Sequence, residues 1–321
     1  MMNIPIALIA LLMQGLFSYP KKLQILYKHP VEWIGGFIAF VDRHFNNGSS
    51  NRQKFAGLMM IIALLFLSFL IAFIISKFLH SYSFGWVIEG IIAFVFISQK
   101  QLGEAVLAVV GGLEISLDEG RKAVAHIVGR DVKSLDETEI SRAAIETLAE
   151  NASDGFIAPL FYLLLLGLPG IVVYKAINTA DSMVGHRNEK YQNFGWASAK
   201  LDDFVNIIPS RICAFLFMIA AVFMPVASAK KSLQTVLRDA DKHASPNAGY
   251  PEAAMAGALG FGLGGKRQYN GEILELPQMG EGKRDLDSSD INIALRLYNK
   301  MSALVLLAIL MAGVFILLLQ Y

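Results

Sequence analysis

Apolar residues fall into long runs along this chain, and those runs predict its architecture. A helix that crosses a bilayer needs about 20 mostly apolar residues. Residues 55–76 form such a run without one charged residue, and 303–319 form another near the C-terminal end. The run 84–98 also fits, although it contains Glu89; the shorter run 4–17 predicts a retained membrane helix, because it lacks the basic start and the cleavage site of a secretory signal. The pattern predicts an all-α fold, a polytopic transmembrane helical bundle.

Two further apolar runs are interrupted. Residues 156–179 contain Pro169-Gly170, and residues 204–226 contain Pro209 and Pro225. The break at Pro169-Gly170 leaves two arms of about a dozen residues, each too short to span a bilayer at about 1.5 Å per residue. Backbone that is not helical is tolerated at membrane depth only inside protein or beside a water-filled cavity. We therefore expect interrupted helices, and favour re-entrant segments over two full crossings.

Basic residues in the loops predict the orientation, because Lys and Arg accumulate in cytoplasmic loops. Residues 20–54 are rich in them, whereas the opposite loop, 77–83, carries only Lys77. The polar stretches 99–155 and 227–301 are then expected to be cytoplasmic. We expect one integral membrane domain over residues 1–321, in the cytoplasmic (inner) membrane and surrounded by the lipid bilayer.

Composition supports a membrane protein and narrows its function. Hydrophobic residues make up 55% of the chain and charged residues 17%, against about 25% charged in a typical soluble domain. The net charge of +1 excludes nucleic-acid binding through bulk positive charge. The single cysteine, Cys213, lies in an apolar run, and we expect a core residue rather than a nucleophile.

A first polar cluster surrounds a predicted helix. The string Ser134-Leu-Asp-Glu137 has the pattern of a capping box, and it opens a helix through about Glu150. Apolar residues occupy one face of this helix, whereas Glu139, Glu146 and Glu150 share the other. The turn-forming residues 151–155 end the helix directly before an apolar run. Carboxylates are therefore expected at the membrane boundary.

Two interpretations of this cluster stay open on spacing alone. One is a site for Mg²⁺ or a substrate amine, built on Glu146, Glu150, Asn151 and Asp154, because Mg²⁺ is commonly held by one or two carboxylates together with phosphates. The other is a solvated helix face on which Arg142 pairs with Glu146 at i,i+4.

A second cluster follows the run 156–179. Asn178 and Asp181 are three residues apart and meet on one helix face, and Arg187 and Asn188 come soon after. An ionisable residue at membrane depth indicates function, and the planar donor fork of Arg187 suits a phosphate. The alternative is a helix end with a polar cap and loop.

Asp202 and Asp203 form a third cluster, directly before apolar residues. They either contact a ligand or pair with Arg211, which lies inside the apolar run. Spacing favours neither.

The fourth cluster contains Asn247 and Glu252 and is followed by the glycine-rich stretch 255–265. These glycines either cradle a phosphate or let helices pack closely. The Walker pattern of phosphate-binding loops is absent from the sequence.

A set of short strings, spread in order over roughly residues 29–300, carries a family resemblance. The strings are His29-Pro-Val-Glu-Trp-Ile-Gly35, Val128-Gly-Arg-Asp131, Glu146-Thr-Leu-Ala-Glu-Asn-Ala-Ser-Asp-Gly155, Ala158-Pro-Leu160, Asn178-Thr-Ala-Asp-Ser-Met-Val-Gly-His-Arg-Asn188, Tyr191-Gln-Asn-Phe-Gly-Trp196, Asp202-Asp203 and Ser245-Pro-Asn-Ala-Gly-Tyr-Pro-Glu-Ala-Ala-Met-Ala-Gly257. Together they resemble the adenosylcobinamide-phosphate synthase family of cobalamin biosynthesis. One departure is Phe17-Ser-Tyr-Pro20, where family members often carry Gly-Asp-Pro.

The resemblance implies an integral membrane enzyme that joins adenosylcobyric acid, a corrinoid, to aminopropanol phosphate or a related amino-alcohol phosphate. ATP would activate the corrinoid carboxylate as an acyl phosphate, and Mg²⁺ would screen the negative charges. ATP and Mg²⁺ are thus expected as co-substrate and activator, without a tightly bound cofactor. The active site should face the cytoplasm. Self-association, and docking with other membrane enzymes of cobalamin assembly, stay open.

The resemblance also implies which residues form the active site. The catalytic candidates are Glu146, Glu150, Asp154 and Asp181, of which Glu146, Glu150 and Asp181 are also the candidate Mg²⁺ ligands. The candidates for substrate binding are Arg130, Asn151, Asn178, Arg187, Asn188, Asp202, Asp203, Asn247 and Glu252.

Two rival functions remain. An intramembrane prenyl-type transferase would use Asn178, Asp181, Asp202 and Asp203 as paired acidic metal motifs, and would act on isoprenoid diphosphates. A transporter or membrane sensor on the same fold would be non-enzymatic. Transporters usually show two matching repeats, and this sequence shows no convincing repeat.

Overall fold

The computed structural model describes residues 3–17, 29–129, 131–186, 188–269 and 272–319. Its described helices, numbered along the chain, are α1 (Asn3–Leu16), α2 (Pro30–Phe45), α3 (Ser50–Leu79), α4 (Gly85–Phe94), α5 (Gln99–Ile115), α6 (Leu117–Val124), α7 (Glu137–Asn151), α8 (Ala158–Val184), α9 (Trp196–Val205), α10 (Ile207–Val222), α11 (Ala229–Asp239), α12 (Gly249–Leu259) and α13 (Ser288–Leu318). A π-helical turn (Ala152–Ile157) joins α7 to α8, and a 3-10 turn (Ala240–Lys242) follows α11. Strands β1 (Leu263–Tyr269) and β2 (Glu272–Met279) form an antiparallel hairpin.

The predicted multi-pass helical membrane fold is confirmed. Within the described ranges, the helical stretches long and apolar enough to cross a membrane are 50–79, 85–115, 137–184 and 288–318, and α9 with α10 adds another if this bent pair is one span. They match the predicted runs 55–76, 84–98 and 303–319, of which only residues 84 and 319 fall outside these stretches. Helix α1 has 14 residues, and at about 1.5 Å per residue it is shorter than a hydrocarbon core of about 30 Å.

The long helices expose large apolar side chains in the way that a lipid-facing surface requires. On α3 the exposed residues include Phe66 and Ile71, and on α13 they include Phe315 and Leu318. In water such contiguous exposure would be unfavourable, whereas lipid tails are as apolar as the side chains. These faces therefore belong in the bilayer.

The chain divides into two compact units. Unit 1 consists of Met1–Ser98, Ala158–Asn206 and Ile309–Tyr321, and unit 2 consists of Gln99–Ile157 and Ile207–Ala308. The polar stretches 99–155 and 227–301 both fall in unit 2. Much of 99–155 is helical, as α5, α6 and α7, rather than an extended loop.

The predicted interruption of the run 156–179 is present in α8. Gly167 adopts φ 67° and ψ −155°, which breaks the helical geometry two residues before Pro169. Proline has no N–H to donate to the preceding turn, so carbonyl groups near the break lose their helical partners. The Asn3 side chain donates one hydrogen bond to the Leu164 carbonyl oxygen at 3.1 Å. The break is thus stabilised inside unit 1.

The prediction that residues 151–155 form a turn that ends α7 is wrong. They continue into the π-helical turn Ala152–Ile157, and the chain stays helical into α8. Ala152, Phe156 and Ile157 are buried, and this burial outweighs the weak turn preference of the small polar residues. Single π-turns inside α-helices are frequent at functional sites.

The capping box that opens α7 lies two residues beyond the predicted one. The Asp136 carboxylate accepts from the Glu139 amide at 2.8 Å, and the Glu139 side chain accepts from the Asp136 amide at 3.0 Å. Both strings fit the pattern, and Asp136 satisfies the free amide groups of the first turn as well as serine would.

The β1–β2 hairpin was not predicted. Only some glycines of the stretch 255–265 serve helix packing, as Gly257 does against Thr235. Gly260 instead ends α12 with φ 68°, and Gly264 and Gly265 have φ 78° and 90°. Leu263 pairs with Met279, with an irregularity between Leu263 and Gly265. Glycine tolerates these positive φ angles without strain, and they place the strand beside α7.

Candidate active site

The acidic residues at the end of α8 and on α9 gather in unit 1. Asn178 and Asp181 lie in the last turns of α8, and Asp202 and Asp203 lie on α9. The carboxylates of Asp181, Asp202 and Asp203 are close enough to interact electrostatically, and the Asn178 amide lies beside Asp202. The structure brings together four residues that the sequence placed in two separate clusters. We call them the acidic cluster.

Asp202 is the most buried member of the acidic cluster. Its Oδ2 accepts from Asn206 Nδ2 at 2.9 Å, and the hydroxyl of the buried Tyr174 donates to Asn206 Oδ1 at 2.9 Å. Its other oxygen, Oδ1, is buried and accepts no hydrogen bond from a described residue. An unsatisfied buried carboxylate oxygen is costly, so this atom is suited to a cation, a proton or a substrate donor.

Asp181 lies against the backbone at Gly185. A Cβ atom at position 185 would collide with the Asp181 carboxylate, so glycine leaves the space that the carboxylate occupies. The oxygens of the acidic cluster are of the kind that Mg²⁺ prefers, and the concentration of like charges favours a bound cation or proton. In the described parts of the chain, no three Asp, Glu, His or Cys residues are placed to hold a metal ion together. That Mg²⁺ binds Asp181 stays a prediction.

Glu146 and Glu150 of unit 2 have different surroundings. Glu146 is buried, and its Oε1 accepts from the Gly264 amide at 2.8 Å. Glu150 is exposed. The solvated-face interpretation is therefore wrong for Glu146, because β1 covers it. Arg142, its expected partner, instead donates to the Gly264 carbonyl oxygen at 3.3 Å. That Glu146 and Glu150 share a cation stays a prediction.

Asn151 and Asp154 lie at and after the end of α7. The Asn151 side chain donates to the Thr147 carbonyl oxygen at 3.1 Å. Asp154 lies in the π-helical turn, and its carboxylate lies near the Cys213 side chain. Cys213 is fully buried, as expected of a core residue.

Asn247 and Glu252 of unit 2 are both buried, and a basic side chain approaches each. Asn247 Oδ1 accepts from Arg211 Nη1 at 2.8 Å. The Arg211 guanidinium lies 3.7 Å from the centre of the Tyr250 ring, a cation–π contact. Glu252, in the first turn of α12, is 3.7 Å from His243 Nε2. Arg211 thus has an amide and an aromatic ring as partners.

Three predicted site residues remain: Asn188, Arg130 and Arg187. Asn188 is exposed, and its Oδ1 accepts from the Tyr191 amide at 2.9 Å, which stabilises the turn before α9. Arg130 and Arg187, the nominated phosphate-binding residues, lie outside the described residues.

Some residues of these sites were not nominated. The sequence contains an indication for Asn206 and Arg211, because a polar residue inside an apolar run is unusual in a membrane protein. It contains no such indication for Tyr174. A tyrosine in an apolar run is ordinary, and its hydrogen bond to Asn206 depends on how α8 packs against α9.

Comparison with known proteins identifies the family. A model of the CobD/Cbib protein family matches residues 7–298. The chain belongs to this family. It is 42% identical over 296 residues to the cobalamin biosynthesis protein CobD of Brucella suis, covering 90% of both chains. It is 42% identical to CobD of Sinorhizobium sp, covering 90% of this chain and 92% of the relative, and 40% identical to CobD of Rhodobacter capsulatus, covering 89% and 90%.

No solved structure matches the chain. Membership of the CobD/Cbib family confirms the resemblance seen in the sequence and assigns the chain to cobalamin biosynthesis.

Proposed function

We propose that this CobD/Cbib protein is the ligase that forms adenosylcobinamide phosphate. It would join the free carboxylate of adenosylcobyric acid to the amine of aminopropanol phosphate or a related amino-alcohol phosphate, using ATP. Family membership supports the pathway, and the acidic cluster of unit 1 supports the chemistry. The observation that carries the proposal is the buried, unpaired Oδ1 of Asp202 among three carboxylates.

The proposed reaction has two steps. A carboxylate oxygen of the corrinoid attacks the γ-phosphorus of ATP, which gives an acyl phosphate and ADP. The amine nitrogen then attacks the acyl carbon, the amide bond forms, and phosphate leaves. The attacking nitrogen must lose a proton, and a carboxylate within hydrogen-bond reach accepts it. When bound, Mg²⁺ screens the negative charges of the phosphates.

Different residues of the acidic cluster would take different roles in this reaction. We assign proton acceptance to Asp202, because Asn206 fixes its orientation and its second oxygen is unpaired. Asp181 and Asp203 would contact Mg²⁺, and Asn178 would contact a polar group of the substrate. The active site would face the cytoplasm, where ATP is available, from a multi-pass protein of the inner membrane.

Purified full-length protein tests the proposal. It is incubated with adenosylcobyric acid, Mg²⁺, ATP and an equal mixture of aminopropanol phosphate and ethanolamine phosphate, and the corrinoid products are identified by mass spectrometry. We expect a product heavier by one amino-alcohol phosphate minus water, and no such product without ATP. A folded wild-type protein that gives no product would overturn the proposal.

The same preparation separates the rival functions. Turnover of an isoprenoid diphosphate in place of the corrinoid would indicate the prenyl-type transferase. Uptake of unmodified corrinoid into vesicles that contain the protein would indicate a transporter.

A further inference from the structure

A pocket in unit 2 is formed where β1 lies beside α7. Its volume is about 280 Å³, and its lining consists of Arg142, the glycine-rich segment 262–265, Gln278 and Arg284. Typical ligand pockets begin at about 300 Å³, so this pocket suits a small molecule or one end of a larger one. We call it the arginine pocket.

The two arginines give the pocket its charge. Arg142 is partly buried and Arg284 is exposed, which places one guanidinium deeper than the other. Neither forms an ion pair with a carboxylate of the described residues. The nearby acids have other partners: Glu281 contacts Arg238 at 2.6 Å, and Asp287 and Asp290 contact Lys283 at 2.9 and 2.7 Å.

Arg142 keeps most of its hydrogen-bonding capacity. Its Nη1 makes a long bond of 3.3 Å to the Gly264 carbonyl oxygen, and its Nε is buried without a hydrogen-bond partner. A guanidinium has five N–H donors in a planar fork that matches a phosphate. A buried donor of this kind is costly to leave unpaired, so an anionic acceptor in the pocket would satisfy it.

The glycines keep the wall of the pocket bare. A Cβ atom on Gly265 would lie 3.8 Å from Arg142 Nη1, and one on Gly262 would lie 3.0 Å from Arg284 Cγ. Side chains at these positions would therefore fill the space between the strand and the arginines. The Gly264 amide is already bonded to Glu146, so the arginines rather than this amide would contact a ligand. Glu146 is then a positioning residue that holds β1 against α7.

We propose that Arg142 and Arg284 bind a phosphate group of a phosphorylated substrate in the arginine pocket. Arg284 Nη2 donates to Gln278 Oε1, and neither guanidinium group has a carboxylate partner among the described residues. Two such cations at different depths can together neutralise a phosphate dianion. The identity of that substrate rests on the proposed function, which supplies two sources of the same chemistry: the phosphates of ATP and the phosphate of the amino alcohol. The pocket volume admits the small amine phosphate, or the phosphate end of a nucleotide.

Binding measurements test this site without requiring turnover. The affinities of purified full-length protein for a non-hydrolysable ATP analogue and for aminopropanol phosphate are measured by calorimetry with Mg²⁺ present. The variants are Arg142→Gln, Arg284→Gln and Arg142→Lys, and the matched control is Arg43→Gln, an exposed arginine on α2. We expect the Gln variants to weaken one of the two ligands at least 10-fold and the control to change neither by more than 2-fold. The ligand that weakens is the one the pocket binds.

Phenylglyoxal modification provides a measurement that needs no variant. Bound ligand should protect Arg142 of the wild-type protein, as read by peptide mass spectrometry. Unchanged affinities in both Gln variants, no binding of either ligand to the wild type, or equal modification of Arg142 with and without ligand would each overturn the site. If the wild type forms product but both Gln variants bind the two ligands as tightly as the wild type, the pocket proposal is wrong and the proposed function stands. If the Gln variants weaken binding but the wild type forms no product, the proposed function is wrong and the pocket proposal stands.

Discussion

At the scale of single residues, the proposed chemistry depends most on Asp202. Its carboxylate is buried, with one oxygen bonded to Asn206 and the other unpaired. Asp202→Asn keeps the size and removes the charge and the proton acceptor. We expect turnover to fall by about 100-fold or more, as for loss of a general base, while the unfolding temperature stays equal or rises. Product formation and thermal unfolding of the purified variant measure both effects.

The control for Asp202 is Asp118→Asn on α6, where an exposed carboxylate pairs with Arg121 at 2.8 Å. Surface pairs contribute about 0–1 kcal/mol, so neither activity nor stability should change. Normal turnover in Asp202→Asn would remove this residue from the chemistry.

Glu146 and Glu150 give a second comparison of single residues. If they share a cation, Glu146→Gln and Glu150→Gln should both reduce turnover strongly. If Glu146 holds β1 through the Gly264 amide, Glu146→Gln keeps an acceptor oxygen and should be mild, whereas Glu146→Ala should cost about 1–3 kcal/mol of stability. We expect the second pattern, with Glu150→Gln near normal. Strong, equal losses in the two Gln variants, with unchanged unfolding temperatures, would restore the shared cation.

The hydrogen-bonded carboxylate of Asp239 should make the stability of the protein depend on pH. Its carboxylate accepts from Arg238 at 2.7 Å, from Lys242 at 2.7 Å and from the Gly280 amide at 2.9 Å. The Arg238 guanidinium, above all, holds the pKa of this carboxyl well below its usual range. Because the folded pKa is lowered, the stabilisation is complete above the unfolded pKa of about 3.9 and is lost as the pH falls below it.

The pH prediction is tested with Asp239→Asn. Its unfolding free energy should be lower than that of the wild type by about 1–3 kcal/mol at neutral pH. That difference should be constant from about pH 5 to 8 and should shrink below about pH 4. Denaturant unfolding in detergent at several pH values measures it, and a difference that grows on acidification would contradict the assignment.

At the scale of elements, the broken helix α8 depends on Gly167. Its φ of 67° with ψ of −155° is open to glycine almost alone. Gly167→Ala should therefore destabilise unit 1 by about 1–3 kcal/mol. The matched control is Gly111→Ala in α5, where a Cβ atom meets nothing within 4 Å, and alanine should instead stabilise by about 0.5–1 kcal/mol. Equal unfolding temperatures for the two variants would mean that the break is not strained.

The sequence predicted those elements whose cause is local. Apolar length predicted α3, α13 and the α4–α5 stretch, and Pro169 predicted the break in α8. The π-helical turn escaped prediction because residues 151–155 carry turn-forming side chains whose preference burial overrides. The β1–β2 hairpin escaped prediction because the glycine-rich segment 262–265 has no alternation of apolar and polar residues. The capping box predicted at Ser134 placed the start of α7 two residues too early, because residues 136–139 have the same pattern.

The sequence predicted each residue of the acidic cluster as a site residue, but it could not show that the four residues lie together. Asp181 and Asp202 interact only because α9 folds back beside α8, and this packing is not visible in residue spacing. The partners of Arg211 could not be chosen for the same reason: Asn247 and Tyr250 are distant in sequence. One of the two interpretations of the sequence paired Arg142 with Glu146 in the same helix, and the unpredicted strand β1 changes the surroundings of both residues.

At the scale of the whole molecule, the direction of each crossing follows from the distribution of positive charge. The exposed residues Lys133 and Asp285 should be cytoplasmic, and Ser81, in the loop with one lysine, should be outside. An even number of crossings must separate two cytoplasmic segments. Residue 192, between α8 and α9, therefore distinguishes two full crossings from re-entrant segments.

Single-cysteine labelling measures this topology. Cys213→Ala removes the native thiol, which is fully buried, and cysteine is then introduced at position 81, 133, 192 or 285. We expect a membrane-impermeant maleimide to label position 81 in intact cells, and positions 133, 192 and 285 only after permeabilisation. Labelling of 133 or 285 in intact cells would reverse the orientation and move the arginine pocket away from cytoplasmic ATP. Labelling of 192 in intact cells would leave the orientation unchanged but would show that α8 and the α9–α10 pair each cross the bilayer, because only full crossings bring that segment to the outside.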